Sequence, residues 1–548
     1  MLDAIVREYE RIIDNGYRAL PIFKYALPTA AYGVLAGFDC HVLTEQMIKE
    51  RSNNSSLSLA QVQILKCLGE GFILAMRWLL GSRDSVDVEP APSKNLVEVA
   101  NDLIQYGAKY FRVSMLYSSY SQGKMEATVD PARKLVRFAH KAAFVDKRPS
   151  WGFADEASNE MLLKTPQWEE QHERMQEGAS EVFRRIPYHL ESGRIVLEDV
   201  APLSSKSVRQ YVEWATARQR LFSPELDLGG FTIRDFTAFW QAIYAWSVCV
   251  TDIYLHCCDR RNLPQETFMP TQVVARDTFI KGVATLSGLF PGVVERILAR
   301  LKVDHRTSKL DVYLQPFLCG QRLVAWSVRS VQLSVWQRNL MKLMARTPSQ
   351  KALADQIIAS REPTLLASLK SWLETKGWSV RVNQELPGLD KAEIDLIGWN
   401  WCYPSEILIV EAKALLQADD SNEVRSATKE MKRAQEQIAR IVQLLKQMPS
   451  EARKARFPFV DWLRVASWYG IVVTPEGEAG LDFDHLKYPA CSFATLRQRL
   501  SSADRRSPSS LWRAMVDRSW QAEIRSGRFE YEPIELAGLT FEEPYIVY

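Results

Sequence analysis

The 548-residue chain has no run near the roughly 18 consecutive apolar residues needed to cross a bilayer. Its best stretches, "FILAMRWLLG" and "YALPTAAYGVLAGF", are short or interrupted, so no membrane span is expected. The opening "MLDAIVREYERIIDNGY" carries acids where a secretory leader would be basic, and the expected location is cytoplasmic. None of the eight cysteines, at 40, 67, 249, 257, 258, 319, 402 and 491, forms a C-x-x-C pair, which argues against a zinc ribbon or a disulfide framework. The tightest group, "CVTDIYLHCC" with Cys249, His256, Cys257 and Cys258, lacks a second ligand pair, and core packing is the default there. There is no G-x-x-x-x-G-K-[ST] loop and no G-x-G-x-x-G, so ATP hydrolysis is not expected of this chain, and any motor or ATPase would be a partner protein. No G-x-S-x-G elbow occurs and the seven histidines are scattered, which disfavours a hydrolase triad. Charge of one sign is also missing: 69 Lys and Arg against 66 Asp and Glu leave a net +3, so nucleic-acid contact would have to come from local patches.

What is present is ample core. A hydrophobic fraction of 47% and a charged fraction of 25% are ordinary for globular domains, and the length calls for several of them. Up to about residue 348, segments such as "SLAQVQILKCLGEGFILAMRWLLG", "DPARKLVRFAHKAAFV", "IRDFTAFWQAIYAWSVCVTDIYLHCC" and "PGVVERILARLK" place apolar residues at three-and-four spacing and predict helices; "GRIVLEDVA" is the clearest strand. The expected organisation is a helical region over 1–82, a linker or exposed loop at 83–96 and a second helical domain over 97–348 serving partner binding, nucleic-acid binding or regulation. No internal repeat supports a solenoid.

Near residue 350 the pattern changes. "SQKALADQIIASREPTLLASLKSWLETKG" predicts a helix ending at Gly377, followed by strands "WSVRVNQELPG", "AEIDLIGWN" and "EILIVEAKA", the last two joined by a turn around Tyr403, Pro404 and Ser405. A long amphipathic helix follows, with Val424, Ala427, Met431, Ala434, Ile438, Ile441 and Leu445 on one stripe, and then a buried strand "WYGIVVTP" at 468–475. Residues 349–480 thus predict a compact α/β module, with 481–548 a C-terminal extension that is first Arg- and Trp-rich and then acidic. Within "KAEIDLIGWNWCYPSEILIVEAKA" (Lys391–Ala414), the charged Asp395, Glu411 and Lys413 interrupt strongly apolar strands, where charge is costly unless paired, hydrogen-bonded or bound to a metal. The plainer alternative is a Glu411–Lys413 pair on an exposed sheet face, with Asp395 in solvent.

This order, with "EID" and "VEAK", resembles the PD-(D/E)XK nuclease superfamily over roughly residues 355–475. The implied fold class is multidomain: a mainly α-helical N-terminal region and a C-terminal α/β restriction-endonuclease-like domain. "EID" departs from the Pro-Asp that named the superfamily. The resemblance implies Asp395 and Glu411 as ligands of Mg²⁺ or Mn²⁺ and Lys413 as a group that orients water, stabilises charge or, with a lowered pKa, acts as a base. It further implies Glu362 (rather than Glu374) and Gln435 (rather than Gln437) as supporting site residues. The expected activity is metal-dependent hydrolysis of DNA phosphodiester bonds, in phage defence, mobile-element control or DNA repair. RNA would serve the same chemistry, and a non-catalytic nucleic-acid-binding or scaffold protein with an inactive nuclease-like fold is the rival from another class.

Two basic segments are candidates for nucleic-acid contact. Arg133, Lys134, Arg137 and Lys141 fall at helical spacing and would form a basic row, the alternative being a solvated helix face. In the C-terminal segment 497–528, Arg505, Arg506 and Arg513 stand among further arginines, with Trp512 and Trp520 interleaved.

Overall fold

The computed structural model describes residues 2–51, 59–81, 88–91, 93–121, 123, 125–141, 166–191, 193–217, 221–261, 269–303, 311–386, 393–416, 421–475, 488–493, 496–497, 507–517 and 528–547. The chain divides into two compact units with mixed helical and sheet architecture. The first takes in Met1–Ala139, Pro166–Ala354 and Tyr531–Pro544; the second takes in Asp355–Glu530.

In the first unit, α1 (Leu2–Gly16), α2 (Leu27–Arg51), α3 (Leu59–Leu80) and α4 (Lys94–Ser121) precede the strands β1 (Met125–Asp130) and β2 (Leu135–His140). Helices α2, α3 and α4 share one core, in which Phe38 stacks on Phe72 with ring centroids 4.3 Å apart. Where α3 crosses α4, backbone meets backbone. A Cβ on Gly107 would stand 2.6 Å from the Gly71 carbonyl oxygen, and one on Gly71 would stand 2.6 Å from the Ala108 nitrogen. The segment expected to be a linker at 83–96 is instead part of this unit where it is described: Val88 is in the α2–α4 core and α4 already begins at Lys94.

The predicted helix over "DPARKLVRFAHKAAFV" is a correction. Asp130 Oδ1 accepts the Ala132 and Arg133 amides at 3.1 and 3.2 Å, and Lys134 takes φ 52°, so Asp-Pro-Ala-Arg-Lys forms a turn and not a helix start. Alternation then wins over the three-and-four pattern: Val136 and Phe138 are fully buried while Arg137 points outward. The C-terminal extension is not one piece either. Strands β13 (Arg528–Leu536) and β14 (Leu539–Val547), joined at Ala537 and Gly538 with φ 52° and 74°, enter the sheet β1-β2-β14-β13, where β14 runs parallel to β2. Ile534, Leu536, Leu539 and Phe541 complete a core with Val6, Ile13, Val113, Leu116, Val136 and Phe138.

The rest of the first unit is α5 (Pro166–Phe183), β3 (Tyr188–Glu191), β4 (Arg194–Leu197), α6 (Lys206–Thr216), α7 (Ile233–Arg261), β5 (Gln272–Ala275), α8 (Arg276–Ser287), α9 (Pro291–Leu301), β6 (Leu318–Cys319), β7 (Leu323–Trp326), α10 (Val328–Leu333) and α11 (Trp336–Arg346). Asp39, fully buried on α2, ties α2 to the segments entering β5 and α10. It accepts from Thr271 Oγ1 at 2.5 Å, Ser327 Oγ at 2.6 Å, and the Arg329 and Val328 amides at 2.9 and 3.3 Å. Cys249, Cys257 and Cys258 are buried on α7. No single helix among the described residues is long and apolar enough to cross a membrane; α8 and α9 reach that composition only when joined across a 114° bend.

The boundary between units falls inside α12 (Lys351–Ala359). Its pattern runs on into α13 (Arg361–Thr375), but Pro363 has no N–H to donate and its ring crowds the carbonyl four residues back, so the helix restarts at Arg361. Gly377, at φ +80°, closes α13 as expected. The second unit continues with β8 (Ser379–Glu385), β9 (Glu393–Trp399), β10 (Glu406–Ala412), α14 (Ser421–Gln447), α15 (Ser450–Arg456), β11 (Ser467–Thr474), β12 (Ala490–Ser492) and α16 (Pro508–Asp517). One sheet, ordered β12-β11-β10-β9-β8, is antiparallel from β8 to β10 and parallel from β10 to β12. Leu365, Leu369 and Leu373 of α13, with Leu511 and Met515 of α16, cover Leu396, Leu408 and Val410 on one face. Met431, Ala434, Ile438, Ile441 and Leu445 of α14 cover Ile397, Ile407, Ile409 and Val472 on the other. Coverage on both faces is why "ILIVEA" is apolar without alternation.

The Gly71–Gly107 crossing yields a direct expectation. Gly71→Ala should lower the thermal midpoint of the full chain, because backbone atoms cannot move aside as a side chain would; an overpacking cost of about 1–3 kcal/mol is expected. Circular dichroism melting checks this, and an unchanged midpoint would show that the crossing has slack.

Candidate functional site

The register of β9 and β10 brings the three charged residues together. Ile409 pairs with Ile397 and Val410 with Leu396, and the next step sets Glu411 beside Asp395. Asp395 Oδ2 accepts the Ala412 amide at 2.8 Å, so the aspartate side chain takes up a strand donor. Lys413 N donates to the Val473 carbonyl at 2.9 Å, which ties the end of β10 to β11. With Asp395 7% exposed and Glu411 0% exposed, an arrangement with Asp395 in solvent does not occur.

Glu411 and Lys413, two residues apart, leave the strand on the same side. The Lys413 ammonium donates to Glu411 Oε1 at 2.6 Å, whereas Glu411 Oε2 is sealed from water and has no hydrogen-bond partner. If all three groups ionise, two negative charges face one positive charge in a dry setting. Burial, reinforced by the charge of Asp395, pushes the Glu411 carboxyl up to about 8 despite Lys413. Burial likewise raises Asp395, against the Ala412 amide and Lys413. For Lys413, burial favours the neutral amine, but the charges of Glu411, Asp395 and Glu362 outweigh it and the pKa is raised. The ammonium therefore stays protonated at neutral pH, which removes the expectation that burial converts Lys413 into a base.

Glu362 stands in the first turn of α13, half-buried and within electrostatic reach of Lys413 and Asp395; burial raises its carboxyl. Its field also includes Glu393, a residue that sequence reasoning passed over. The signal was there: Glu393 precedes Asp395 by two in the same strand and so shares its face. Gln435 is buried on the sheet-facing side of α14, but its amide donates to the Tyr488 carbonyl at the entry to β12, which makes it a scaffold contact.

The basic candidates do not join this cluster. Arg133 is exposed and 3.6 Å from Asp130, Arg137 pairs with Glu542 and lies over the Tyr531 ring, and Lys141 follows β2 half-buried, so no helical basic row exists. Arg513 is exposed on α16; Arg505 and Arg506 lie outside the described residues.

The donor set fits a hard divalent cation, which commonly takes one or two protein carboxylates and completes its shell with water and substrate phosphate. Asp395 and Glu411 are those carboxylates, and the bare Glu411 Oε2 is the oxygen that wants a cation. Among the described residues no group of three or more His, Cys, Asp or Glu side chains stands at metal-holding spacing, so the protein's own share is no more than the pair. No family model, no curated protein and no solved structure matches this chain.

The raised carboxyls set a pH dependence. A carboxyl whose folded pKa lies above its unfolded value binds more protons when folded, so stability falls as pH rises through the interval between them, here from about 4.5 to about 8 for Glu411. The raised Lys413 acts only at higher pH, where its contribution is lost on deprotonation. In chelator, Glu411→Gln should therefore gain thermal stability relative to the parent chain between pH 5 and pH 8.5, as checked by fluorimetric melting across that range. Mn²⁺ should raise the midpoint of the parent at pH 8 and not that of the variant.

Proposed function

We propose that the second unit is a metal-dependent nuclease of the PD-(D/E)XK kind that hydrolyses phosphodiester bonds of DNA. The observation that carries this reading is the convergence of Asp395, Glu411 and Lys413 from adjacent strands on one buried carboxylate oxygen with no protein partner. The order helix, three antiparallel strands, crossing helix and parallel fourth strand supports it.

Asp395 and Glu411 would hold Mg²⁺ or Mn²⁺. When bound, the ion supplies neutralisation of the charge that builds on the attacked phosphate and lowers the pKa of a water. The protein's part is positioning and charge. Asp395 is held in place by the Ala412 amide, and Glu411 is held by Lys413. The Lys413 ammonium, protonated and only partly buried, can turn a donor toward a phosphate oxygen or the attacking water. Glu362, with its raised carboxyl, is the nearest further group able to take up a proton at neutral pH.

The test is cleavage of supercoiled plasmid, linear duplex, single-stranded DNA and RNA with Mg²⁺ or Mn²⁺. Lys413→Ala and Asp395→Asn should each lose at least about 10²-fold in rate, the usual scale for removing one group that stabilises transition-state charge. Cleavage by Lys413→Ala at the parent rate would refute the assignment. Mn²⁺ binding by the parent without cleavage of any substrate would favour the non-catalytic rival.

A further inference from the structure

The first unit holds a cation whose surroundings leave it incomplete. Arg329, on α10, is half-buried; its Nη1 donates to Gln332 Oε1, while its Nε is sealed from water without a hydrogen-bond partner. Gln332 is itself held, donating to Thr251 Oγ1 on α7 at 2.9 Å. The acid closest in electrostatic effect, Asp39, is already engaged by two hydroxyls and two backbone amides, one of them the Arg329 amide and none the Arg329 guanidinium. A guanidinium in such a place, with no carboxylate hydrogen-bonded to it among the described residues, is costly to bury.

Three phenols lie in electrostatic reach of the same guanidinium: Tyr211 from α6, Tyr244 from α7 and Tyr313 from the turn that precedes β6. Burial raises the pKa of each, so all three keep their protons and can donate. Donors thus gather from four separate segments around one positive charge, and Arg329 retains enough exposure for a solute to reach it.

We propose that Arg329, Tyr211, Tyr244 and Tyr313 form a binding site for the phosphate group of a small phosphorylated molecule. Phosphate is chosen over carboxylate because of the number and spread of the donors. A carboxylate offers two oxygens in a plane, which one guanidinium fork satisfies alone; a phosphate monoester offers three terminal oxygens in three dimensions and nearly two negative charges. The site does not depend on the nuclease reading, since all four residues belong to the first unit.

Isothermal titration of the full chain with inorganic phosphate and adenosine monophosphate, against sodium acetate and sodium chloride at matched ionic strength, tests it. Both phosphates should bind, and neither acetate nor chloride should. Tyr244→Phe removes one hydroxyl and should weaken phosphate binding about tenfold or more, the scale of a hydrogen bond to a charged group; Arg329→Gln should abolish it. No heat with either phosphate, or equal affinity in the parent and Tyr244→Phe, would overturn the site, and Tyr244→Phe decides the matter even if Arg329→Gln fails to fold. Acetate binding as tightly as phosphate would overturn the choice of ligand.

Discussion

A carboxylate oxygen shut away from water and bonded to nothing is among the least favourable atoms a fold can contain, and the second unit is arranged around one. Glu411 sits where β10, the central strand, is covered on both faces, so its charge gains little from solvent. Lys413 meets one of its oxygens; the other faces toward the charge of Asp395. The protein alone can relieve this in one way, by holding a proton that a surface glutamate would have released. A divalent cation relieves it in another, by replacing that proton with a larger and more localised charge. The same strain that costs stability in the empty protein therefore becomes selectivity for a hard cation, and the strands are stiff enough to keep the oxygens from turning away.

Much of this was legible in the sequence because the second unit obeys local rules. Its strands, the stop at Gly377, the stripe of α14 and the clash of charge with apolar strand in "EIDLIG" and "ILIVEAKA" all read directly. The break before Arg361 was readable too, had Pro363 been given its full weight. Pairwise electrostatics were not legible. That Lys413 remains charged, that Glu393 joins the field and that the Gln435 amide is spent on Tyr488 are consequences of burial and distance. Composition cannot supply either.

The first unit was harder, and the errors share a cause. "DPARKLVRFAH" fits a helix and a hairpin equally well by hydrophobic spacing; the choice is made by an aspartate side chain capping its own turn and by a partner strand some 400 residues away in sequence, since Thr540, Phe541 and Glu542 pair with Leu135, Val136 and Arg137. A strand whose neighbour comes from the far end of the chain carries no local sign of its pairing. The buried polar groups around Asp39 and Arg329 are of the same kind: each residue alone reads as surface, and only the fold assembles them.

The closing of the four-stranded sheet by β13 and β14 has a consequence for biosynthesis. A ribosome delivers residues 355–530 before it delivers the strands that complete the sheet begun at Met125. The hydrophobic surface of Val136 and Phe138 must wait, uncovered by Leu539 and Phe541, while the whole second unit is translated. Nascent chains of this protein are thus open to holdase chaperones at the N-terminal unit for longer than the size of that unit alone would require, and a chain released early would carry a finished second unit on an unfinished first one.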